Sequence, residues 1–147
     1  MYRVREGRLE VLLVHPGGPF WERKDAGVWT IPKGGIGEGE QPLAAAQREF
    51  EEETGFRSQP PYLELTPIKQ KSGKIVQAWA FEGDCDPSQA RSVTFTMEWP
   101  PRSGKRGEYP EIDRAEFFEI EEAKRKVNPA QIGLLEDLQK KRAWTQK

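Results

Sequence analysis

The 147-residue chain contains a single cysteine, Cys85, and a single histidine, His15. One cysteine excludes an internal disulfide and a cysteine-based zinc cluster, and a reducing compartment is the simplest setting for it. No apolar run approaches the roughly 20 residues that cross a bilayer. The opening MYRVREGRLEVLLV scatters charges among its apolar residues and lacks both the apolar core and the cleavage site of a secretory signal. A cytoplasmic protein with no membrane partner is expected. An excess of one charge sign is missing too: 23 Lys and Arg stand against 24 Asp and Glu, a net charge of −1. That balance argues against a dedicated duplex nucleic-acid binder, and no stable nucleic-acid partner is expected. Repeats and low-complexity tracts are absent as well. The length suits a single domain over residues 1–147.

What is present divides into short segments. Residues 9–15 (LEVLLVH) form an apolar run stopped by Pro16, Gly17 and Gly18, which reads as a buried strand. Residues 2–5 read as the tail of another strand, joined through a turn at Glu6 and Gly7. Residues 19–27 read as an irregular loop, and residues 28–31 as a short strand ended by Pro32. Residues 33–41 hold four glycines and cannot be regular structure. Pro42 fits the first turn of a helix. Leu43, Ala46 and Phe50 then recur at helical spacing until Gly55 supplies a C-cap. Antiparallel strands are expected at 62–70, 74–82 and 92–99. The Pro- and Gly-rich segment 100–113 reads as a loop and 116–120 as a short strand. Helices are expected at 121–126 and 129–142, the second capped by Asn128 and carrying Leu134, Leu135 and Leu138 on its apolar stripe. This order predicts an α/β sandwich with a mixed sheet.

The run REFEEETGF, residues 48–56, places Glu49, Glu51, Glu52 and Glu53 on the last turns of the first helix. Like charges three and four apart repel, and negative charge at a helix C-terminus opposes the macrodipole. At about 100° per residue, Glu49, Glu52 and Glu53 share one sector beside the apolar stripe, while Glu51 points to solvent. Oxygen ligands in such an array suit a hard divalent cation, magnesium or manganese, which recruits substrate phosphates to complete its shell. A simple solvated glutamate face is the competing reading of the helix alone.

The preceding segment decides between them. From Gly34 the chain reads GGIGEGEQPLAAAQREFEEETGF, with Gly34, Glu40, Arg48, Glu49, Phe50, Glu52, Glu53, Gly55 and Phe56 at fixed spacing. This pattern resembles the signature of the Nudix hydrolase superfamily, and the strands around it are similar to that family's α/β/α sandwich. The resemblance implies a divalent-metal-dependent enzyme that cleaves a diphosphate linked to a further group. It implies Glu52, Glu53 and the Lys33 backbone carbonyl as metal ligands, and Glu49 as a ligand or the group that deprotonates water. Arg48 would hold the glutamates by ion pairing, and Glu40 would assist through water or a second metal. The general base in several relatives lies on a later loop, where Glu98, Glu108 and Glu111 are the candidates here. The physical logic agrees: anhydride hydrolysis needs neutralised phosphate oxygens and an aligned, acidified water.

Substrate contacts are expected from Lys33, Gly34 and Gly35 in the loop and from the basic stretch Arg102, Lys105 and Arg106. Trp99 and Tyr109, with Trp21, lie in or beside loops where an aromatic ring can stack on a base. Trp29 and His15 read as structural. The run WTIPKGG resembles the Trp-x-x-Pro-Lys-Gly segment of Nudix enzymes acting on diadenosine polyphosphates and diphosphoinositol polyphosphates, whereas MutT-like enzymes that clean up nucleoside triphosphates more often carry Pro-Gly-Gly. Against that, Ser72, Gly73 and Lys74 fill the region where diadenosine polyphosphate enzymes often carry a tyrosine, and the proline of many ADP-ribose relatives is missing. A nucleoside polyphosphate substrate is expected, with the dinucleoside type favoured. A diphosphoinositol polyphosphate, an RNA 5′ pyrophosphate and a non-catalytic nucleotide-binding module are the alternatives, and the resemblance allows a homodimer.

Overall fold

The computed structural model describes residues 1–34 and 38–145, with the side chains of residues 143–145 set aside. Its centre is β2 (Arg8–Pro16), paired antiparallel with β1 (Tyr2–Arg5) on one edge and with β9 (Ile112–Glu119) on the other. Successive side chains of a strand point to opposite faces, and β2 is buried on both. Val11 and Leu13 face one apolar cluster with Trp29, Ile120, Ala123, Val127, Leu134, Leu135 and Leu138. Leu12 and Val14 face a second with Phe50, Phe81, Ile112 and Ala115. The first cluster is covered by α2 (Ile120–Lys126) and α3 (Ile132–Thr145), the second by α1 (Pro42–Thr54). A sheet with helices on both faces is the sandwich expected from the sequence.

The named strand pairs are antiparallel, and parallel pairing enters through isolated bridges at Tyr2–Glu82 and Trp29–Val127. Two expected strands are broken. Residues 62–70 give β3 (Leu63–Glu64) and β4 (Ile68–Lys69), interrupted at Pro67, which cannot donate to a ladder. Residues 74–82 give β5 (Ile75–Val76) and β6 (Trp79–Ala80), which pair back onto β4 and β3. Residues 28–31 form isolated bridges rather than a strand. The segment 100–113, expected to be a loop, contains β8 (Arg106–Pro110), which pairs with β7 (Thr94–Glu98) in a hairpin. Cross-strand pairing of Phe95 with Tyr109 outweighs the Pro and Gly content there. The strand expected at 116–120 is longer, beginning at Ile112, and Ile120 already starts a helix. Asn128 caps a 3-10 turn over Pro129–Gln131 ahead of α3.

The first helix ends as its composition requires. Gly55 adopts φ +79°, a left-handed conformation that favours glycine, and its N–H bonds Glu51 O. The buried positions of α1 are Ala45, Phe50 and Thr54, so the inward stripe is rotated from the expected Leu43, Ala46 and Phe50. Leu43 and Ala46 line a cavity instead.

Leu13 is completely buried between the sheet and α2/α3. Leu13→Ala is expected to lower unfolding free energy by about 2–5 kcal/mol, read as a shift of the urea midpoint at unchanged slope.

Candidate active site

Arg48 is the hub of the acidic run. Its guanidinium donates to both Glu40 oxygens, at 2.8 and 3.0 Å, to Glu49 Oε1 at 2.8 Å and to Glu52 Oε2 at 3.0 Å. The hydrogen bonds it donates to Glu40, Glu49 and Glu52 hold its pKa above even the usual arginine value. Two-pronged pairing of this kind fits the planar fork of arginine and would be lost with lysine. Glu40, expected to act through water or a second metal, is held here as an ion-pair partner.

Glu53 takes a different environment. The Lys33 backbone N–H donates to its Oε2 at 2.9 Å, so the loop contact seen is through the Lys33 amide rather than its carbonyl. Partial burial is the main force raising the Glu53 pKa, to about 7, with Lys33 opposing and the negative charges of Glu111 and Glu49 adding to it. Gly34 lies against Glu49 so closely that a Cβ there would overlap the carboxylate. Among the described residues, no three acidic, imidazole or thiolate groups yet converge as a preformed metal cluster. The donor set nonetheless suits a hard cation: a half-buried carboxylate with a raised pKa, a second carboxylate against the same loop backbone, and a third one turn away. Glu51 is outside this group, exposed and paired with Arg57.

The end of α1 also recruits the second half of the site. Its terminal carbonyls are taken by residues entering the hairpin, with Arg91 N–H donating to Thr54 O at 2.9 Å and Val93 N–H to Glu52 O at 3.0 Å. Glu111 N–H then donates to Val93 O at 2.9 Å. This ladder places Glu111 near enough to raise the Glu53 pKa. Glu98 and Glu108 sit out on the hairpin, Glu108 bonded to Thr94 Oγ1. Of the three general-base candidates, the fold brings Glu111 to the signature.

The other expected contacts separate. Trp99, Arg102 and Lys105 lie at the hairpin tip, one five-residue strand, or about 17 Å of chain, from its base. Tyr109 stacks obliquely on Phe95, with ring centroids 6.1 Å apart, on one hairpin face. Gly35 falls outside the described residues. Trp29 is buried, its Nε1–H donating to Asp25. His15 is fully buried as well, with its ring nitrogens facing Asp113 Oδ1 at 2.8 Å and Lys24 O at 2.6 Å. A feature that the sequence did not signal is a cavity of about 780 Å³ opening beside Lys33 and Gly34. Leu43, Phe50 and Trp79 supply apolar walls, with amides from Gln47 and Gln77. It forms where β5 and β6 stand off from β2, a gap between strands that no local pattern announces.

The Glu53 proton makes metal-free stability pH dependent. The folded protein keeps it up to about pH 7, while the ordinary value for the free side chain is 4.5. Its contribution therefore favours the fold below pH 4.5 and is lost as pH rises through 7. In chelator, Glu53→Gln is expected to match the wild type at pH 4 and to exceed it by about 1–3 kcal/mol at pH 8, measured by urea unfolding at both pH values.

The chain is similar to known proteins in sequence and in fold. An RNA pyrophosphohydrolase of Agrobacterium fabrum is 31% identical over 123 residues, covering 67% of this chain and 66% of the relative. Another from Bartonella henselae is 43% identical over 56 residues, covering 38% of this chain and 30% of the relative. The chain thus spans less than a third of that relative's length. Among solved structures, a C. elegans Ap4A hydrolase binary complex superposes with TM-score 0.65 at 23% identity, over 98% of this chain and 92% of that one. The E. coli ORF135 protein superposes with TM-score 0.56 at 24% identity, over 97% and 87%. At these identities the two structures establish a common fold. A family model described as the NUDIX domain matches residues 1–138, and the chain belongs to the Nudix family.

Proposed function

We propose that the protein hydrolyses a phosphoanhydride bond in a nucleoside polyphosphate, with a dinucleoside polyphosphate as the favoured substrate. The observation that carries this reading is the placement of Arg48 on Glu40, Glu49 and Glu52 at once, with half-buried Glu53 beside the Lys33–Gly34 backbone. Glu49, Glu52 and Glu53 would hold magnesium or manganese, with the Lys33 carbonyl as a further ligand. A divalent cation bound there would neutralise phosphate oxygens and lower the pKa of the attacking water. Arg48 restrains Glu49 and Glu52 by direct hydrogen bonds. In this reading Glu111 would accept the water's proton. The Lys33 ammonium supplies positive charge at the cavity mouth, and the cavity's apolar walls and amides suit a nucleoside.

The lysine of the WTIPKGG run and the fold shared with an Ap4A hydrolase support the dinucleoside type. A second reading, an RNA 5′ pyrophosphate, is favoured by the names of the curated relatives. Purified protein assayed with magnesium and then manganese against nucleoside triphosphates, diadenosine polyphosphates, ADP-ribose, diphosphoinositol phosphates and triphosphorylated RNA separates these readings by rate.

Two variants test the assignment of roles. Glu52→Gln is expected to reduce turnover by more than about a hundredfold with an unchanged circular dichroism spectrum, and a fully active variant would overturn the hydrolase reading. Glu111→Gln is expected to lower kcat by about 10²–10⁴ while Glu98→Gln and Glu108→Gln do not.

A further inference from the structure

The loop between β2 and Trp29 displays an aromatic pair that the core does not use. Phe20 is 51% exposed, and it is the one aromatic ring among the exposed large apolar side chains of the described residues. It meets Trp21 edge to face, with ring centroids 4.8 Å apart and planes at 87°. The Lys24 ammonium stands 3.7 Å from the Phe20 centroid and 5.2 Å from that of Trp21.

This display is anchored. Gly17 N–H donates to Glu111 O at 2.8 Å, Trp21 N–H to Gly18 O at 3.3 Å and Lys24 N–H to Trp21 O at 2.9 Å. The Lys24 carbonyl accepts from Nε2 of buried His15, whose other nitrogen faces Asp113. Gly18 packs beneath Phe95 of the hairpin. The aromatic pair is therefore fixed at both ends of its loop, and Phe20 follows by three residues the position hydrogen-bonded to Glu111. Three residues of chain reach at most about 10 Å. Holding a large ring in water forfeits the burial that would stabilise it elsewhere, and a preorganised aromatic and cationic surface beside a reaction centre is suited to stacking on a base.

We propose that Phe20, Trp21 and Lys24 form a stacking site for the second nucleobase of a dinucleoside polyphosphate. The first nucleoside occupies the cavity beside Lys33 and Gly34, the scissile phosphates lie over the α1 carboxylates, and the second base rests on the aromatic loop, with Lys24 toward its phosphate. The inference rests on the reading of the catalytic site given above, and it extends that reading from one nucleoside to two.

The test compares kcat/KM for diadenosine tetraphosphate and for ATP. In Trp21→Ala and Phe20→Ala the ratio of the two values is expected to fall at least about tenfold, and Trp21→Phe is expected to restore it. A ratio within twofold of the wild type in both alanine variants overturns the site. Equilibrium fluorescence provides a reading independent of turnover and of the alanine variants' folding. Quenching by adenosine 5′-monophosphate is expected to be weaker in Trp21→Phe than in the wild type, and equal quenching overturns the proposal. If the wild type hydrolyses neither substrate, the catalytic reading fails while the quenching difference still decides the stacking site.

Discussion

Four glutamates crowd the last two turns of α1, where the helix dipole already carries negative charge. An isolated peptide of this sequence would fray at that end. Arg48 answers the repulsion by bonding Glu40, Glu49 and Glu52 together, and the Lys33 amide takes Glu53. The terminal carbonyls of the helix are then closed by Gly55, Arg91 and Val93. Thr54 Oγ1 bonds back to Phe50 O and accepts from Phe56 N–H, tightening the exit of the chain. These contacts do more than satisfy a helix end. They tie the glycine-rich loop to one side of the carboxylates and the β7–β8 hairpin to the other, so the local need to neutralise charge and cap carbonyls assembles the site.

The sheet supplies the rigidity behind this. β2 is buried on both faces, so its register cannot slip without moving Val11 and Leu13 into the opposite cluster. Its last turn-facing residue, His15, is held between Asp113 on β9 and the Lys24 carbonyl. The strand that organises the core thus also fixes the loop that carries the aromatic pair. On the other side, β5 and β6 pair with β3 and β4 rather than closing onto β2, and the space left between them becomes the cavity.

The helix, its start at Pro42 and its glycine cap were legible because each depends on residues within one or two turns, and the pairing of Arg48 with the glutamates was implied by the family resemblance. Segment 9–15 was legible as a buried strand because its apolar run leaves no polar face. The hairpin was not: Pro100, Pro101 and Gly104 read as a loop, and the decisive pairing of Phe95 with Tyr109 joins residues 14 apart in sequence. The two long strands expected at 62–82 broke at points where Pro67 and a partner change interrupt the ladder. Expected base contacts at Trp99 and phosphate contacts at Arg102 and Lys105 went to the hairpin tip, because distance along a strand is invisible to composition.

The signature spacing by itself determined that Arg48, Glu49, Glu52 and Glu53 would share a helix end, since a helix converts spacing directly into a common face. Only the tertiary structure decided which later acid meets them. Glu98, Glu108 and Glu111 are equivalent as sequence, and Glu111 comes within electrostatic range of Glu53 because the backbone ladder from Glu52 through Val93 ends at its own N–H. That ladder joins strands and a helix end far apart in the chain, and its hydrogen bonds come from peptide groups that every residue carries.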